Sequence, residues 1–191
     1  MISIEAAGLP ILVAGGITLS APDERDAEAL FRLIDSNRER LAEWMPWLNQ
    51  MRNADDCLAY IRYSIEGNRD RRFLNLLVWV DGRPVGVVCF FAIESYMRRA
   101  EIGYWLGDEW LGQGIMRRSV AALIHYGFTQ LGLYRIQIAC AVDNRPSRAL
   151  PESIGFQLEG VLRGREWIGE RVVDHAIYGL LLPDWQTQQH R

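Results

Sequence analysis

A glycine-containing turn directly before a long amphipathic helix limits the possible folds of this chain more than any other segment. The turn follows a predicted strand at 100–107 and reads Trp110-Leu111-Gly112-Gln113-Gly114-Ile115-Met116. Two glycines separated by one residue let the backbone turn sharply and approach a ligand closely. The predicted helix runs from Gly112 to Leu131. Its inward face is formed by Val120, Leu123, Ile124 and Phe128.

The start of this helix is suited to an anion. The free N–H groups of a first helical turn and the helix dipole both favour negative charge. Arg117 and Arg118 add positive charge at the same place. A pyrophosphate group is therefore the expected ligand, and an ordinary strand-to-helix turn is the alternative. The dinucleotide-binding fingerprint is excluded because its third glycine is missing.

The rest of the chain predicts an α+β fold with one βαβ unit in a mostly antiparallel sheet. A short helix is expected near 146–153. The other strands are expected at 17–20, 73–80, 84–93, 134–142, 156–167 and 171–182, with turns at Asp81-Gly82 and Gly169-Glu170. Two early helices are predicted from their apolar stripes. The stripe of the first is Ala27, Leu30, Phe31 and Ile34, and that of the second is Leu58, Ile61 and Ile65. Asn53 is expected to cap the second helix.

Length and composition narrow the function. With 191 residues, 1–191 is expected to form a single domain. A net charge of −3 gives no reason to expect nucleic acid as the main partner. All 21 basic residues are arginine, which excludes a Schiff-base lysine and the Walker A phosphate loop.

Cysteine usage and apolar patterning indicate the compartment. Cys57, Cys89 and Cys140 are widely spaced, so neither a zinc site nor a disulfide framework is expected. The N-terminus lacks the basic flank of a signal peptide. The longest apolar stretch is interrupted by Asp81-Gly82, as in a hairpin and unlike a membrane span. We therefore expect a cytoplasmic protein without a metal.

From Ile102 to Trp185 the chain resembles the GCN5-related N-acetyltransferases (GNAT), in particular the RimJ/RimL-type branch that acetylates ribosomal proteins. The resemblance lies in several motifs in the same order. These are Ile102-Gly103-Tyr104-Trp105-Leu106, Gly112-Gln113-Gly114-Ile115-Met116, Ala141-Val142-Asp143-Asn144, Ser147-Arg148-Ala149, Gly155-Phe156, Leu158-Glu159-Gly160 and Asp174-His175. The N-terminal half matches in layout only. One departure is Leu111, which stands where the family pattern begins with Gln or Arg.

The resemblance implies a GNAT fold and acetyl-CoA as cofactor. That fold is a mostly antiparallel mixed sheet of about seven strands, with a central splayed pair and helices on both faces. The pantetheine arm of the cofactor would lie between the splayed strands. Residues expected to bind it are Tyr104, Trp105, Leu106, Gly112, Gln113, Gly114, Ile115, Met116, Arg117, Asn144 and Ser147.

The resemblance also assigns catalytic roles. Glu166 matches a general-base glutamate, and a solvated strand glutamate is the alternative. Ser147 matches the residue that protonates the departing thiolate, and its alternative is a helix cap. Tyr178 is a second candidate acid or a core residue. Cys140 is an acyl-enzyme nucleophile or, as we favour, a buried apolar cysteine. His125, His175 and His190 receive no chemical role.

The function implied is transfer of acetyl to a primary amine by direct attack, with the N-terminal α-amine of a ribosomal protein as the expected acceptor. Acetylation of a small amine, amino acid or antibiotic is one alternative, and a non-catalytic acyl-CoA sensor is another. The acceptor pocket is expected around Trp44, Trp47 and Phe91. A homodimer is expected, with no membrane partner.

Overall fold

One mixed sheet of eight strands forms the framework of the computed structural model, which describes residues 9–189. The strands are β1 (Ile11–Val13), β2 (Ile17–Ser20), β3 (Leu74–Val80), β4 (Arg83–Glu94), β5 (Arg99–Leu106), β6 (Arg135–Ala141), β7 (Gln157–Ile168) and β8 (Arg171–Leu181). Their order across the sheet is β1-β2-β3-β4-β5-β6-β8-β7. The pairing of β5 with β6 is parallel, and the other six pairings are antiparallel.

Helices cover both faces of this sheet. They are α1 (Ala27–Asp35), α2 (Arg38–Ala42), α3 (Ala54–Arg69), α4 (Ile115–Thr129), α5 (Arg145–Ile154) and α6 (Leu182–Gln189), with short 3-10 helices at Glu24–Asp26, Pro46–Gln50 and Asp108–Trp110. Because side chains alternate along a strand, Leu76 packs on the α4 side and Leu77 on the α1–α3 side. The two faces therefore carry separate apolar cores, which confirms the expected arrangement.

The central pair of strands separates part-way along its length. β5 and β6 are paired at Arg99–Glu101 and Arg135–Gln137 only. Both strands continue beyond this point, β5 to Leu106 and β6 to Ala141, without pairing to each other. On its other side β5 stays paired with β4 as far as Leu106. The result is a V-shaped gap in the middle of the sheet, as the resemblance implied.

The turn into α4 requires its glycines. Gly112 has a φ of 72° and Gly114 a φ of 68°, both in the left-handed region that other residues adopt at a cost. The helix begins only at Ile115 and ends at Thr129, so it is shorter at both ends than the predicted 112–131. Gly114 serves as its N-cap without a side-chain hydrogen bond. The first-turn N–H groups consequently remain available to a ligand.

Three details of the secondary structure differ from the expectations. The sheet has eight strands instead of about seven, because Ile11–Val13 pairs with β2 as a short edge strand. The last strand ends at Leu181, and α6 follows it. Ile65 is exposed, because α3 faces the sheet with Cys57, Ile61, Ser64 and Asn68. The Asn68 side chain hydrogen-bonds both backbone groups of Asn75.

Candidate active site

A cavity of about 1100 Å³ opens where β5 and β6 separate. Its walls come from the turn before α4, the start of α5, the segment around the 3-10 helix Pro46–Gln50, and the hairpin of β7 and β8. It reaches from Gly112 at one end to Glu166 and His175 at the other. The single cavity therefore joins the predicted anion-binding turn to the predicted general base.

The turn end of the cavity has the features of an anion cradle. Gly112, Gly114 and Arg117 line it, with Ile115 and Met116 buried beneath. A Cβ at Gly112 would meet no atom within 4 Å, so the glycine is needed for its backbone angle and not for space. The wall also includes Leu111, which is half-exposed and apolar. Its side chain offers no charged or polar contact at the family's Gln/Arg position, and only its backbone groups remain.

Gln113 is placed differently from its neighbours in the turn. Its side-chain Nε2 donates to the carbonyl of Glu109 at 2.8 Å, within the turn itself. Gln113 does not border the cavity, whereas Gly112 and Gly114 on either side of it do. Its observed contact therefore holds the turn together.

The middle of the cavity exposes the backbone edge of β5. Tyr104, Trp105 and Leu106 all line the gap, and none of them pairs with β6. The side chains of Trp105 and Leu106 are buried in the cores on opposite sides of the sheet. Because this part of β5 has no strand partner on the β6 side, its edge can bind an extended, amide-containing arm. The carbonyl of Leu106 is already occupied, since it accepts from Arg40 Nη2 at 2.5 Å. This edge and the glycine turn together fit coenzyme A.

The Tyr104 side chain crosses the gap to α5. Its hydroxyl donates to the carbonyl of Ser147 at 2.7 Å and lies 3.2 Å from Ser147 Oγ. Ser147 Oγ also lies 3.3 Å from the sulfur of Cys140. Tyr104, Ser147 and Cys140 thus form one hydrogen-bonded cluster, which we call the hydroxyl cluster.

Asn144 explains why the Ser147 hydroxyl is free for this cluster. Asn144 precedes α5, and its Oδ1 accepts the backbone N–H of Ser147 at 3.1 Å. The helix cap is therefore Asn144, and the alternative of Ser147 as the cap is wrong. Both residues line the cavity.

The hydroxyl cluster is protonated at neutral pH. Burial is the largest cause that raises the pKa of the Cys140 thiol, with smaller opposing effects from its hydrogen bonds to Ser147 and Tyr104. Burial also raises the pKa of Tyr104 far above its ordinary value. A thiol kept protonated is a poor nucleophile. This supports the apolar interpretation of Cys140 over the acyl-enzyme route.

Glu166 and His175 face each other at the far end of the cavity. Glu166 Oε2 lies 3.1 Å from His175 Nε2. The two atoms are in contact, but they lack the alignment of a hydrogen bond, and Nε2 is buried without another partner. The Glu166 side chain is 42% exposed and that of His175 is 13% exposed. The sequence assigned no role to His175, since only folding brings it to Glu166.

Glu101 is a second carboxylate in the cavity that sequence reasoning missed. It lies on β5 at the last residue paired with β6, where the gap begins. Burial raises the pKa of its carboxyl, against smaller opposing effects of Arg165 and of a hydrogen bond from Gln137 Nε2 at 3.2 Å. Its position inside the motif Ala100-Glu101-Ile102 gave no signal of this burial.

An aromatic wall closes the cavity near Glu166. Trp44, Trp47, Tyr60 and Phe91 all line it, so the three residues expected in the acceptor pocket do lie together. Trp47 stacks on Tyr60 with ring centroids 5.8 Å apart. Trp44 packs against Ile168 and Val173 of the β7–β8 hairpin. The hairpin and this segment thus form one wall.

Tyr178 lies outside the cavity. Its hydroxyl donates to Glu152 Oε1 at 2.6 Å and accepts from Arg148 Nε at 3.0 Å, and its ring is fully buried. Its position is that of a core residue that anchors α5 to β8. His125 is also remote, packed on Trp185 with ring centroids 5.6 Å apart, and His190 lies outside the described residues.

Two features of other classes of protein are not found in residues 9–189. No helix there is long and apolar enough to cross a membrane. In the same part of the chain, no three His, Cys, Asp or Glu side chains are grouped in a way that would hold a metal ion.

Comparison with known proteins places the chain in a family. The model of the acetyltransferase (GNAT) domain matches residues 17–157. A putative ribosomal N-acetyltransferase of Bacillus subtilis (strain 168), YdaF, is 33% identical over 91% of this chain and 95% of its own length. The ribosomal-protein-serine acetyltransferase of Escherichia coli (strain K12) is 31% identical over 90% of this chain and 96% of its own length.

A solved structure extends the similarity to the whole fold. The microcin C7 self-immunity acetyltransferase MccE, in complex with acetyl-CoA and AMP, is similar with a TM-score of 0.87 and 32% identity. The similarity covers 95% of this chain and 100% of that chain.

Proposed function

This chain belongs to the GNAT acetyltransferases, enzymes that use acetyl-CoA, and from that premise we propose that it acetylates the N-terminal α-amine of a ribosomal protein. The observation that carries the proposal is the continuity of one cavity from the glycine turn, past the free edge of β5, to Glu166. The names of the two relatives above support the acceptor class.

Coenzyme A is assigned to the half of the cavity near α4. The N–H groups around Gly112–Met116 and the charge of Arg117 would hold its pyrophosphate. The unpaired edge at Tyr104–Leu106 would hold its pantetheine arm, with Asn144 and Ser147 across the gap. When bound, acetyl-CoA supplies the acetyl thioester. A backbone N–H of the β5 edge would stabilise the charge that develops on the carbonyl oxygen.

Glu166 is proposed as the general base. An α-amino group has a pKa near ~8, so at neutral pH the acceptor arrives mainly as an ammonium that must lose a proton. Glu166 lines the cavity beside the aromatic wall and is partly exposed, so it is open to the acceptor while remaining inside the site. The carboxylate would take the proton directly or through one water.

Ser147 is proposed to donate a proton toward the departing thiolate. Its Oγ lies inside the cavity and within hydrogen-bond distance of the Tyr104 hydroxyl. A serine hydroxyl is a weak acid, so the contact suggests a relay in which Tyr104 and Ser147 share protons. The role is supportive, because a thiolate is already a good leaving group.

A small-molecule acceptor is the second candidate function. The aromatic wall of Trp44, Trp47 and Tyr60 would stack on a planar group as well as on an apolar peptide residue. MccE, similar over its whole chain, is described with AMP as well as acetyl-CoA. This candidate would use the same Glu166 and the same cofactor half.

The domain organisation and oligomeric state of the protein are proposed from the sheet, and its cellular location from the proposed acceptor. We propose that 1–191 forms one domain, since all eight strands belong to one sheet. We also propose a homodimer, because the edge strand β7 exposes Leu158, Val161, Leu162 and Trp167. Ribosomal proteins as acceptors imply the cytoplasm.

The test of the proposed acceptor is thiol release from acetyl-CoA with peptides that carry the N-termini of ribosomal proteins. The same peptides with blocked N-termini serve as controls, and a set of small amines tests the second candidate. Release with free but not blocked peptides is expected. A higher kcat/KM for a small amine than for every peptide would overturn the ribosomal acceptor in favour of that amine.

The test of the base compares Glu166→Gln with Glu170→Gln, an exposed glutamate in the β7–β8 turn. Glu166→Gln should lower turnover by about 10²- to 10⁴-fold and leave acetyl-CoA affinity unchanged. Glu170→Gln should change neither. Full activity of the Glu166 variant would exclude it as the base.

A further inference from the structure

His175 reaches Glu166 because of an irregularity between β7 and β8. Leu162 lies opposite His175, and a regular ladder continuing from this pair would place Arg171 opposite Glu166. Four residues along β8 would then separate His175 from that position, about 13 Å. Instead Val173 lies opposite Glu166, because β7 has two extra residues in this interval. Glu166 is thereby drawn back toward His175.

The irregularity is fixed by the residue before His175. Asp174 Oδ1 accepts the backbone N–H of Gly164 at 2.8 Å, and Gly164 has a φ of 61°. With Val173 opposite Glu166, His175 becomes the diagonal neighbour on the same face of the sheet. Diagonal neighbours lie about 7–8 Å apart at the backbone, within reach of long side chains. The contact at 3.1 Å is therefore built into the strand register.

The contact leaves one polar atom of His175 without a hydrogen bond. Nε2 is buried, and Glu166 Oε2 is the acidic oxygen in contact with it. A small rotation of either side chain would align the N–H with the carboxylate. A buried donor without a partner is costly, so this alignment would lower the free energy of the site.

Other ionisable side chains line the same cavity. They include Glu101 on β5, Cys140 on β6, Arg165 on β7, Arg117 on α4, and Arg40 and Glu43 on and directly after α2. Arg40 is ion-paired with Asp108, and Arg171 lies over the Trp44 ring at 5.7 Å. The carboxylate in direct contact with the imidazole is that of Glu166.

We propose that His175 is a positioning residue for Glu166, which orients the carboxylate toward the acceptor amine. This inference rests on the proposed role of Glu166. His175 would donate Nε2–H to Oε2 and leave the other carboxylate oxygen free for the acceptor.

The test compares His175→Phe, which removes the donor, with His175→Gln, whose amide N–H can replace Nε2–H. His125→Phe, on the exposed face of α4, is the matched control. All are assayed at saturating acetyl-CoA with the acceptor that the wild type acetylates fastest. The choice of acceptor is therefore independent of the ribosomal-protein proposal, and acetyl-CoA affinity is measured separately.

His175→Phe should lower kcat by about 10- to 100-fold, as expected for loss of a hydrogen bond to a charged group. His175→Gln should keep kcat within a few-fold of the wild type, because its amide N–H restores the donor. His125→Phe should match the wild type.

Glu166→Gln separates the inference from the proposed base. If Glu166→Gln is inactive and His175→Phe matches the wild type in kcat, Glu166 stands as the base and the positioning role is overturned. Equal loss in His175→Phe and His175→Gln would also overturn it, because the donor would not matter. A double variant no slower than Glu166→Gln alone supports the coupling, and multiplied losses contradict it.

A readout without turnover completes the test. Thermal unfolding of the wild type, Glu166→Gln, His175→Phe and the variant that carries both changes forms a double-mutant cycle. If the two side chains interact, the double variant should lose less Tm than the two single losses together. Additive losses would overturn the contact itself.

Discussion

The glycine turn before α4 allows the cofactor assignment to be tested with a matched pair of variants. Gly112 has a φ of 72° and lines the cavity, whereas Gly132 has a φ of 64° and lies in the α4–β6 turn. A Cβ would meet nothing within 4 Å at either position. Alanine at both sites therefore introduces the same backbone strain and no clash. The two sites differ in whether acetyl-CoA would touch them.

The magnitude follows from the cost of the left-handed conformation, roughly 1–2 kcal/mol for a residue with a Cβ. Without ligand, the turn of Gly112→Ala can relax toward negative φ. Ligand binding must then restore the strained conformation, at a cost up to that amount. Since 1.4 kcal/mol is tenfold in affinity, the Kd for acetyl-CoA should rise by about 5- to 30-fold.

The assay is isothermal titration with acetyl-CoA, together with thermal unfolding. Both variants should lose a similar amount of Tm, and only Gly112→Ala should bind acetyl-CoA more weakly. Unchanged affinity in Gly112→Ala would refute the assignment of this turn to the cofactor. So would an equal loss of affinity in Gly132→Ala, since the effect would then be general destabilisation.

Three further variants test the environment of buried groups. Burial raises the pKa of Glu101, so ionisation of this carboxyl favours the unfolded chain. The contribution of Glu101 to stability therefore declines as the pH rises above the ordinary carboxyl range. Glu101→Gln should consequently raise Tm more at pH ~8 than at pH ~4. Gly127→Ala would place a Cβ 2.6 Å from the Phe90 ring, and chemical denaturation should show a loss of about 1–3 kcal/mol. Cys140→Ala should keep kcat within a few-fold, because a protonated, buried thiol is not the nucleophile.

Each of these has an outcome that contradicts it. An equal change of Tm at both pH values would show that Glu101 ionises as freely in the folded protein as in the unfolded chain. An unchanged denaturation midpoint for Gly127→Ala would mean that Phe90 moves aside without cost. Loss of turnover in Cys140→Ala by ~10²-fold or more would favour a covalent route.

The sequence predicted those parts of the fold that depend on local patterns. Alternating apolar residues, the Asp81-Gly82 turn and the helical stripe of α4 define elements within short windows. The hairpin turn confirms the reasoning, since Asp81 and Gly82 both have positive φ. The splayed pair followed from the family resemblance. No periodicity in the sequence indicates that two parallel strands separate after three pairs.

The features that were missed depend on contacts distant in sequence. β1 has three residues, too few for a pattern, and is defined by its pairing with β2. The stripe of α3 was misassigned at Ile65, because hydrogen bonds between Asn68 and Asn75 determine which face meets the sheet. Polar residues can set the orientation of a helix, and apolar periodicity does not detect this.

The site shows the same division. The glycine turn, Tyr104 and Ser147 were recognisable from motifs, and the cavity brings them together. The pairing of His175 with Glu166 requires the two-residue irregularity of β7, which cannot be read from either strand alone. The burial of Glu101 likewise depends on Gln137 and on the point where the strands separate.

The most direct test of direct acetyl transfer is a single turnover with enzyme in excess over acetyl-CoA, followed by mass spectrometry of both protein and acceptor peptide. The account predicts that thiol release coincides with acetylation of the peptide α-amine and that the mass of the protein never changes. Acetyl found on the protein before it reaches the peptide would contradict direct attack. Absence of thiol release with every peptide and amine would contradict the acetyltransferase assignment itself.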